Sequence, residues 1–163
     1  MEVTKVGSTK VQRIAHAAKS VSMSNWTVRG HRTASRSLGI TGPRMKVCVV
    51  EDDASMRRAL QRLLKAGSHE VVAFESAEAF LKFGQVDTFG CVVLDLNLPG
   101  MSGIQLLERL IPVGPSLSII VITSHDYPGL QQDVLKRGAF AYLRKPFEGE
   151  DLLATINRIQ QHP

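Results

Sequence analysis

Cysteine is nearly absent from this chain: of its 163 residues only Cys48 and Cys91 carry thiols. Both lie in apolar runs that read as buried strands, and neither stands at metal-ligand spacing, which suits a reducing cytoplasm. No apolar run approaches the roughly 20 residues that cross a bilayer, so no membrane partner is expected. The apolar core of about 7–15 residues that marks a secretory leader is missing too. Acidic residues are missing from positions 1–44 except for Glu2, against eight Lys/Arg. That segment therefore carries +7, whereas residues 45–163, with twelve basic and fourteen acidic side chains, carry −2. The basic character of the whole belongs to its leading segment. No internal repeat or low-complexity tract is present.

Residues 1–44 are rich in Ser, Thr, Gly and basic side chains, without a sustained apolar period. Such a segment buries too little surface to offset its ordering entropy, so it reads as a disordered extension with at most a weak amphipathic helix over Val11–Ala18. Gly7-Ser8-Thr9-Lys10 has the wrong spacing for a phosphate loop, and His16 and His31 are isolated. Three readings stay open for the extension: upstream sequence without a role, a basic arm on nucleic acid or acidic surfaces, or an organellar targeting segment. A DNA-binding arm would show steep salt dependence that disappears with residues 1–44. Gly42-Pro43 marks a break, and Met45, a suitable start residue, opens the domain at 45–163.

From Met45 short apolar runs alternate with helical patterns. The runs Val47–Val50, Val71–Phe74, Cys91–Leu94, Ile119–Ile122 and Ala139–Leu143 are unbroken and rich in Val and Ile, as expected of parallel strands covered on both faces. Between them lie stripes of helical period: Met56, Leu60, Leu63 and Leu64; then Ile104, Leu107, Leu110 and Ile111; then Leu152, Ile156 and Ile159. Ser102 with Gln105 gives a capping box. Less clearly patterned helices are placed at Ala77–Phe83 and Pro128–Arg137. Five β/α units with right-handed crossovers imply an α/β fold, a doubly wound five-stranded parallel sheet with helices on both faces.

Polar residues interrupt the runs at their ends. The first ends in Glu51-Asp52-Asp53, the third in Asp95, the fourth in Thr123 and the fifth in Arg144-Lys145-Pro146. In a parallel sheet these ends share one edge, outside which open α/β sheets bind ligands. Several carboxylates close together repel until a proton or a hard cation relieves them. Mg²⁺ suits such a group because it takes a few carboxylate oxygens and carbonyls and keeps waters. Asp95 could then act as a nucleophile on phosphorus, with Mg²⁺, the Lys145 ammonium and the Thr123 hydroxyl meeting charge on the phosphoryl oxygens. Ser124 is small and leaves the approach open. Asp53 reads as a helix cap. Taken singly, Thr123 is an ordinary strand residue, Lys145 a surface lysine and Tyr142 core or interface. His125 either tunes hydrolysis or is loop surface.

These stretches resemble the receiver domains of two-component response regulators. Val49-Val50-Glu51-Asp52-Asp53 is similar to their acidic-pair motif, and Leu94 to Gly103, with Pro99 four and Gly103 eight residues after Asp95, to their phosphoacceptor loop. Ile122-Thr123-Ser124 resembles the hydroxyl motif and Gly138 to Phe147 the lysine motif. The match covers residues 46–160, with a flavour closest to receivers of the nitrogen-fixation regulator type. The resemblance implies a flavodoxin-like strand order 2-1-3-4-5 and phosphorylation of Asp95. It implies Mg²⁺ on Glu51, Asp52, Asp95 and the Asn97 main-chain carbonyl. Thr123, Ser124 and Lys145 would read the phosphoryl group, and Tyr142 would change rotamer with Thr123. One departure is the Glu-Asp pair where Asp-Asp is commoner; Glu51 reaches one methylene further, either directly to the metal or through water. The implied partners are a histidine kinase or phosphotransfer protein and a downstream protein on the fourth-helix, fifth-strand, fifth-helix face. A homodimer stays open, and nucleic acid is not expected. With the chain ending after the fifth helix, the expectation is a stand-alone receiver, not an enzyme beyond self-phosphorylation and autodephosphorylation. Two other functions compete. A non-phosphorylated interaction module predicts loss of site residues, and none is lost. An aspartate-nucleophile phosphatase needs a second Asp where Asn97, which cannot titrate, stands.

Overall fold

The computed structural model describes residues 44–113 and 116–161. Strands β1 (Lys46–Val50), β2 (Glu70–Phe74), β3 (Cys91–Asp95), β4 (Ser118–Thr123) and β5 (Ala141–Arg144) form one sheet in the order β2-β1-β3-β4-β5. Every pairing is parallel, with Val50 opposite Leu94 and Asp95 opposite Ile122. Helices α1 (Ala54–Ala66), α2 (Ala77–Phe83), α3 (Gly103–Leu110), α4 (Leu130–Lys136) and α5 (Gly149–Gln161) supply the crossovers. This is the doubly wound sheet expected of unbroken Val/Ile runs. The expected extension up to residue 43, and the helix at 11–18 within it, lie outside the described residues.

Local chemistry sets the helix starts. Asp53 caps α1, its carboxylate accepting from the amides of Ser55 (2.9 Å) and Met56 (2.7 Å). Ser76 caps α2 by accepting from Ala79 N, and Ser102 and Gln105 cap α3 reciprocally. These side chains satisfy amides that no helical carbonyl can reach. Helix α4 begins at Leu130 rather than Pro128, after Gly129 in the left-handed region at φ 93°. Strand β5 starts at Ala141 rather than Ala139. The amides of Gly138 and Ala139 turn back to Leu135 O and Val134 O, closing α4 before the strand can begin.

Two apolar layers sandwich the sheet. One joins Val50, Leu94 and Val121 to Phe80 of α2, Leu106, Leu107 and Leu110 of α3, and Leu130 and Val134 of α4. The other joins Val49, Val93 and Ile122 to Met56, Leu60 and Leu64 of α1 and Leu152, Ile156 and Ile159 of α5. Burying each such side chain contributes about 1.5–3 kcal/mol. In α3, Leu106 is fully buried although the expected stripe passed over it, and Ile111 is 39% exposed. The chain tightens into a 3₁₀ turn at Ile111–Val113, which swings Ile111 off the helical face. Cys48 and Cys91 belong to opposite layers, so the intervening sheet keeps them from pairing. Burial pushes both thiols far above their usual range, leaving them protonated and unreactive.

His69, in the turn between α1 and β2, is buried, and its Nδ1 has no hydrogen-bond partner among the described residues. Burial lowers its imidazole pKa. The unfolded chain therefore takes up a proton first, and this residue's contribution to stability declines as pH falls below the ordinary value of about 6.5. Urea titrations at pH 7.5 and 5.5 should show His69→Gln losing less stability on acidification than the parent. Equal losses would refute the assignment.

Candidate functional site

Side chains alternate across a strand, so residues two apart share a face. Val47 and Val49, Cys91 and Val93, and Ala141 all face the α1/α5 layer. Continuing that period places Glu51, Asp95 and Lys145 on the same side at the carboxyl edge. Val121 and Tyr142 face the other layer, and the same period puts Thr123 there. The edge therefore carries an ionic half and a hydroxyl–aromatic half.

In the ionic half, the Lys145 ammonium donates to Glu51 Oε2 and to Asp95 Oδ2, both at 2.7 Å. The peptide bond from Lys145 to Pro146 is cis. Glu51 is 1% and Asp95 3% exposed, while Asp52 is exposed. Carboxylate oxygens of Glu51, Asp52 and Asp95 lie within 4.8 Å of one another. Burial pushes the Glu51 carboxyl up to about 7, against the pull of Lys145 and with a further push from Asp95. Burial alone would lower the Lys145 pKa, but Asp95 and Glu51 outweigh it and hold the ammonium above its usual value. One cation serving two buried carboxylates leaves both directions in force at once. The other Asp95 oxygen, Oδ1, accepts from Asn97 N at 2.9 Å.

In the hydroxyl half, Thr123 is fully buried. Its Oγ1 donates to His125 O (3.1 Å) and accepts from His125 N (3.2 Å) and Asn97 Nδ2 (3.3 Å). Asn97 Nδ2 also lies 3.3 Å from the Oγ of Ser124, which is exposed. The His125 side chain is exposed, and its backbone is what engages Thr123. Tyr142 is half-buried, and its hydroxyl donates to Asp126 Oδ1 at 3.2 Å. Asp126 also pairs with Arg144 at 3.3 Å. The structure thus gathers Glu51, Asp52, Asp95 and Lys145 into one group and Thr123, Ser124 and Asn97 into a second. Tyr142 is held outward by Asp126.

Three participants were not singled out from sequence: Asp126, Glu78 of α2, whose carboxylate accepts from Met101 N at 2.6 Å, and Arg57 of α1. Asn97 was, for its carbonyl, but not for the amide groups that reach Asp95 and Thr123. Each acts through a contact with a loop distant in sequence or with the main chain, which no apolar period announces. Asn97 alone had a signal, its place two residues after Asp95.

Gly103 shows why the loop after Asp95 needs a glycine. A Cβ there would stand 2.2 Å from Asp95 O and 2.5 Å from Leu96 Cα. Both are backbone atoms, so β3 or α3 would have to move. Gly103→Ala is expected to cost at least about 1–3 kcal/mol, as overpacking does. An unchanged denaturant midpoint would contradict this.

A 2-1-3-4-5 parallel sheet with an Asp ending its third strand, an acidic pair ending its first, and a hydroxyl and a lysine ending its last two defines a receiver of two-component signalling. The chain belongs to the response regulator receiver domain family, whose model matches residues 47–157. It is 40% identical over 117 residues to the transcriptional regulatory protein TdiR of Thauera aromatica, covering 72% of this chain and 52% of that protein. It is 39% identical over 110 residues to the transcriptional regulatory protein FixJ of Bradyrhizobium diazoefficiens, covering 68% and 54%. The fold matches the BeF3-activated DrrB receiver domain with TM-score 0.68 at 28% identity, covering 73% of this chain and 99% of that one. The chain spans about half the length of the curated relatives it matches. Those relatives are transcriptional regulatory proteins by name. Among the described residues no helix is long and apolar enough to cross a membrane.

Proposed function

We propose that Asp95 accepts a phosphoryl group from a histidine kinase or phosphotransfer protein in the cytoplasm, with Mg²⁺ beside it. The observation that carries this reading is the meeting of three carboxylates within 4.8 Å, two of which share the Lys145 ammonium. With all three carboxylates ionised, negative charge exceeds the one ammonium by two; the donors are all oxygen, and Asp52 opens to solvent, where retained waters fit, which matches Mg²⁺. Asp52 and Asp95 would hold the ion, with Glu51 as a ligand directly or through water and the Asn97 carbonyl completing the set. When bound, Mg²⁺ would neutralise charge on the transferring phosphoryl oxygens.

The chain's own residues do the rest. One Asp95 oxygen bonds to phosphorus as the donor's P–N bond breaks and the histidine nitrogen keeps the electron pair. Lys145, already on Asp95 and Glu51, would donate to a phosphoryl oxygen. Thr123 would leave His125 to meet another, with Ser124 at the rim, and Tyr142 would exchange Asp126 for the space that Thr123 vacates. Phosphorylation would then shift a pre-existing equilibrium on the α4–β5–α5 face, where a downstream protein binds. Incubation with Mg²⁺ and acetyl phosphate should give one labile phosphoryl adduct mapping to Asp95. An adduct at another residue, or none, would overturn the proposal.

A further inference from the structure

Arg57 is the fourth residue of α1 and closes its first turn, its amide donating to Asp53 O. The helix dipole disfavours a cation so near an N-terminus, and a solvated arginine would extend away from it. Instead, Nη1 turns back and donates to Glu51 O at 2.6 Å and to Asp52 O at 3.0 Å. These carbonyls begin the peptide planes on either side of the Asp52 Cα. Because each peptide is planar, fixing both carbonyls fixes the direction in which the Asp52 side chain leaves the backbone. Lys145 clamps the other two carboxylates of the cluster. Asp52 is exposed, so its direction is set through the main chain.

We infer that Arg57 is a positioning residue for the cation site: it orients the acidic pair so that Asp52 reaches the same point as Glu51 and Asp95. This rests on the reading of that cluster as a Mg²⁺ site. Two effects of Arg57 oppose each other. Its charge repels a cation, while its two charge-assisted hydrogen bonds preorganise the ligands. The side chain is half-exposed, so solvent and salt screen the repulsion. Loss of a partner that orients a metal ligand lowers affinity by about 10–100-fold. Orientation should therefore win.

Titration calorimetry of the full chain with MgCl₂, run beside urea unfolding to confirm that each variant is folded, separates the possibilities. Arg57→Lys keeps the charge, but its ammonium ends one bond short of Nη1, the single nitrogen that makes both hydrogen bonds. Arg57→Gln removes the charge. Both are expected to weaken Mg²⁺ binding by about tenfold. Arg58→Gln, which removes an adjacent charge without touching either carbonyl, should leave affinity unchanged. Tighter binding by Arg57→Gln, wild-type affinity in Arg57→Lys, or equal weakening by Arg58→Gln would overturn the role of Arg57 and leave the cation site standing. No binding by the wild type, or undiminished binding by Asp52→Asn, would overturn the site and with it the role.

Discussion

Asp95→Asn is expected to reduce phosphoryl labelling by acetyl phosphate to background while leaving the fold intact. An amide is isosteric with the carboxylate but lacks its nucleophilic charge, so the phosphorus–oxygen bond does not form. The Asn97 N–H can still donate to the amide oxygen. Lys145 keeps Glu51 as a partner, which limits structural damage. Chelating Mg²⁺ from the wild type should act in the same direction, because the site would then carry uncompensated negative charge toward an anionic donor. Mass spectrometry of intact protein after a timed incubation reads both results. Labelling of Asp95→Asn at the wild-type rate would place the acceptor elsewhere.

The second large effect concerns Lys145. Substitution by Met preserves much of its length and apolar stem but leaves Glu51 and Asp95 facing each other without their shared ammonium. Removing one partner of a buried ion pair costs about 3–5 kcal/mol, and Lys145→Met is expected to lose that much near pH 8. The pH dependence has a definite sign. In the wild type, burial raises Glu51 to about 7, above the usual value of about 4.3. The folded state therefore holds this proton after the unfolded chain has released it, and stability from this group declines as pH rises through that interval. Without Lys145 the carboxyl shifts further up, so the penalty should be greatest above pH 7 and should fade as pH falls toward 5. Added Mg²⁺ should stabilise the variant more than the wild type, since it supplies the missing charge. Urea midpoints across pH, with and without Mg²⁺, decide the matter. A penalty that grows on acidification would contradict the charge argument.

Much of this arrangement is legible before any coordinates. Helix α2 is observed over the same residues, Ala77–Phe83, that the pattern marks. The strand runs are long, apolar and Val/Ile-rich, so their period and burial agree, and the polar residues that stop them mark the carboxyl edge. That Glu51, Asp95 and Lys145 share a face is not legible in the same way, because runs apolar on both faces carry no alternation; it follows only once Val49, Val93 and Leu143 are seen in one layer. The errors fall where short-range geometry overrides composition. Ile111 is apolar and in phase, yet the chain leaves α-helical winding there, ahead of Pro112. Ala139 looks like strand, yet its amide is taken by α4. The partners of Arg57, Glu78 and Asp126 are illegible for another reason: their polar side chains select main-chain groups or residues that become neighbours only when the sheet has assembled.

The alternation across the sheet edge has a mechanical consequence. Asp95 and Lys145 project toward the α1/α5 side, and Thr123 and Tyr142 toward the side of α2, α3 and α4. The two layers are separated by the backbone of the sheet, which is too well bonded to flex at small cost. Whatever bonds to Asp95 and Thr123 at once acts as a strap over the rim, tying together two slabs that lie on opposite sides of that partition. Beyond Thr123 such a strap bears on the loop at 124–129, where Asp126 holds Tyr142 and Arg144.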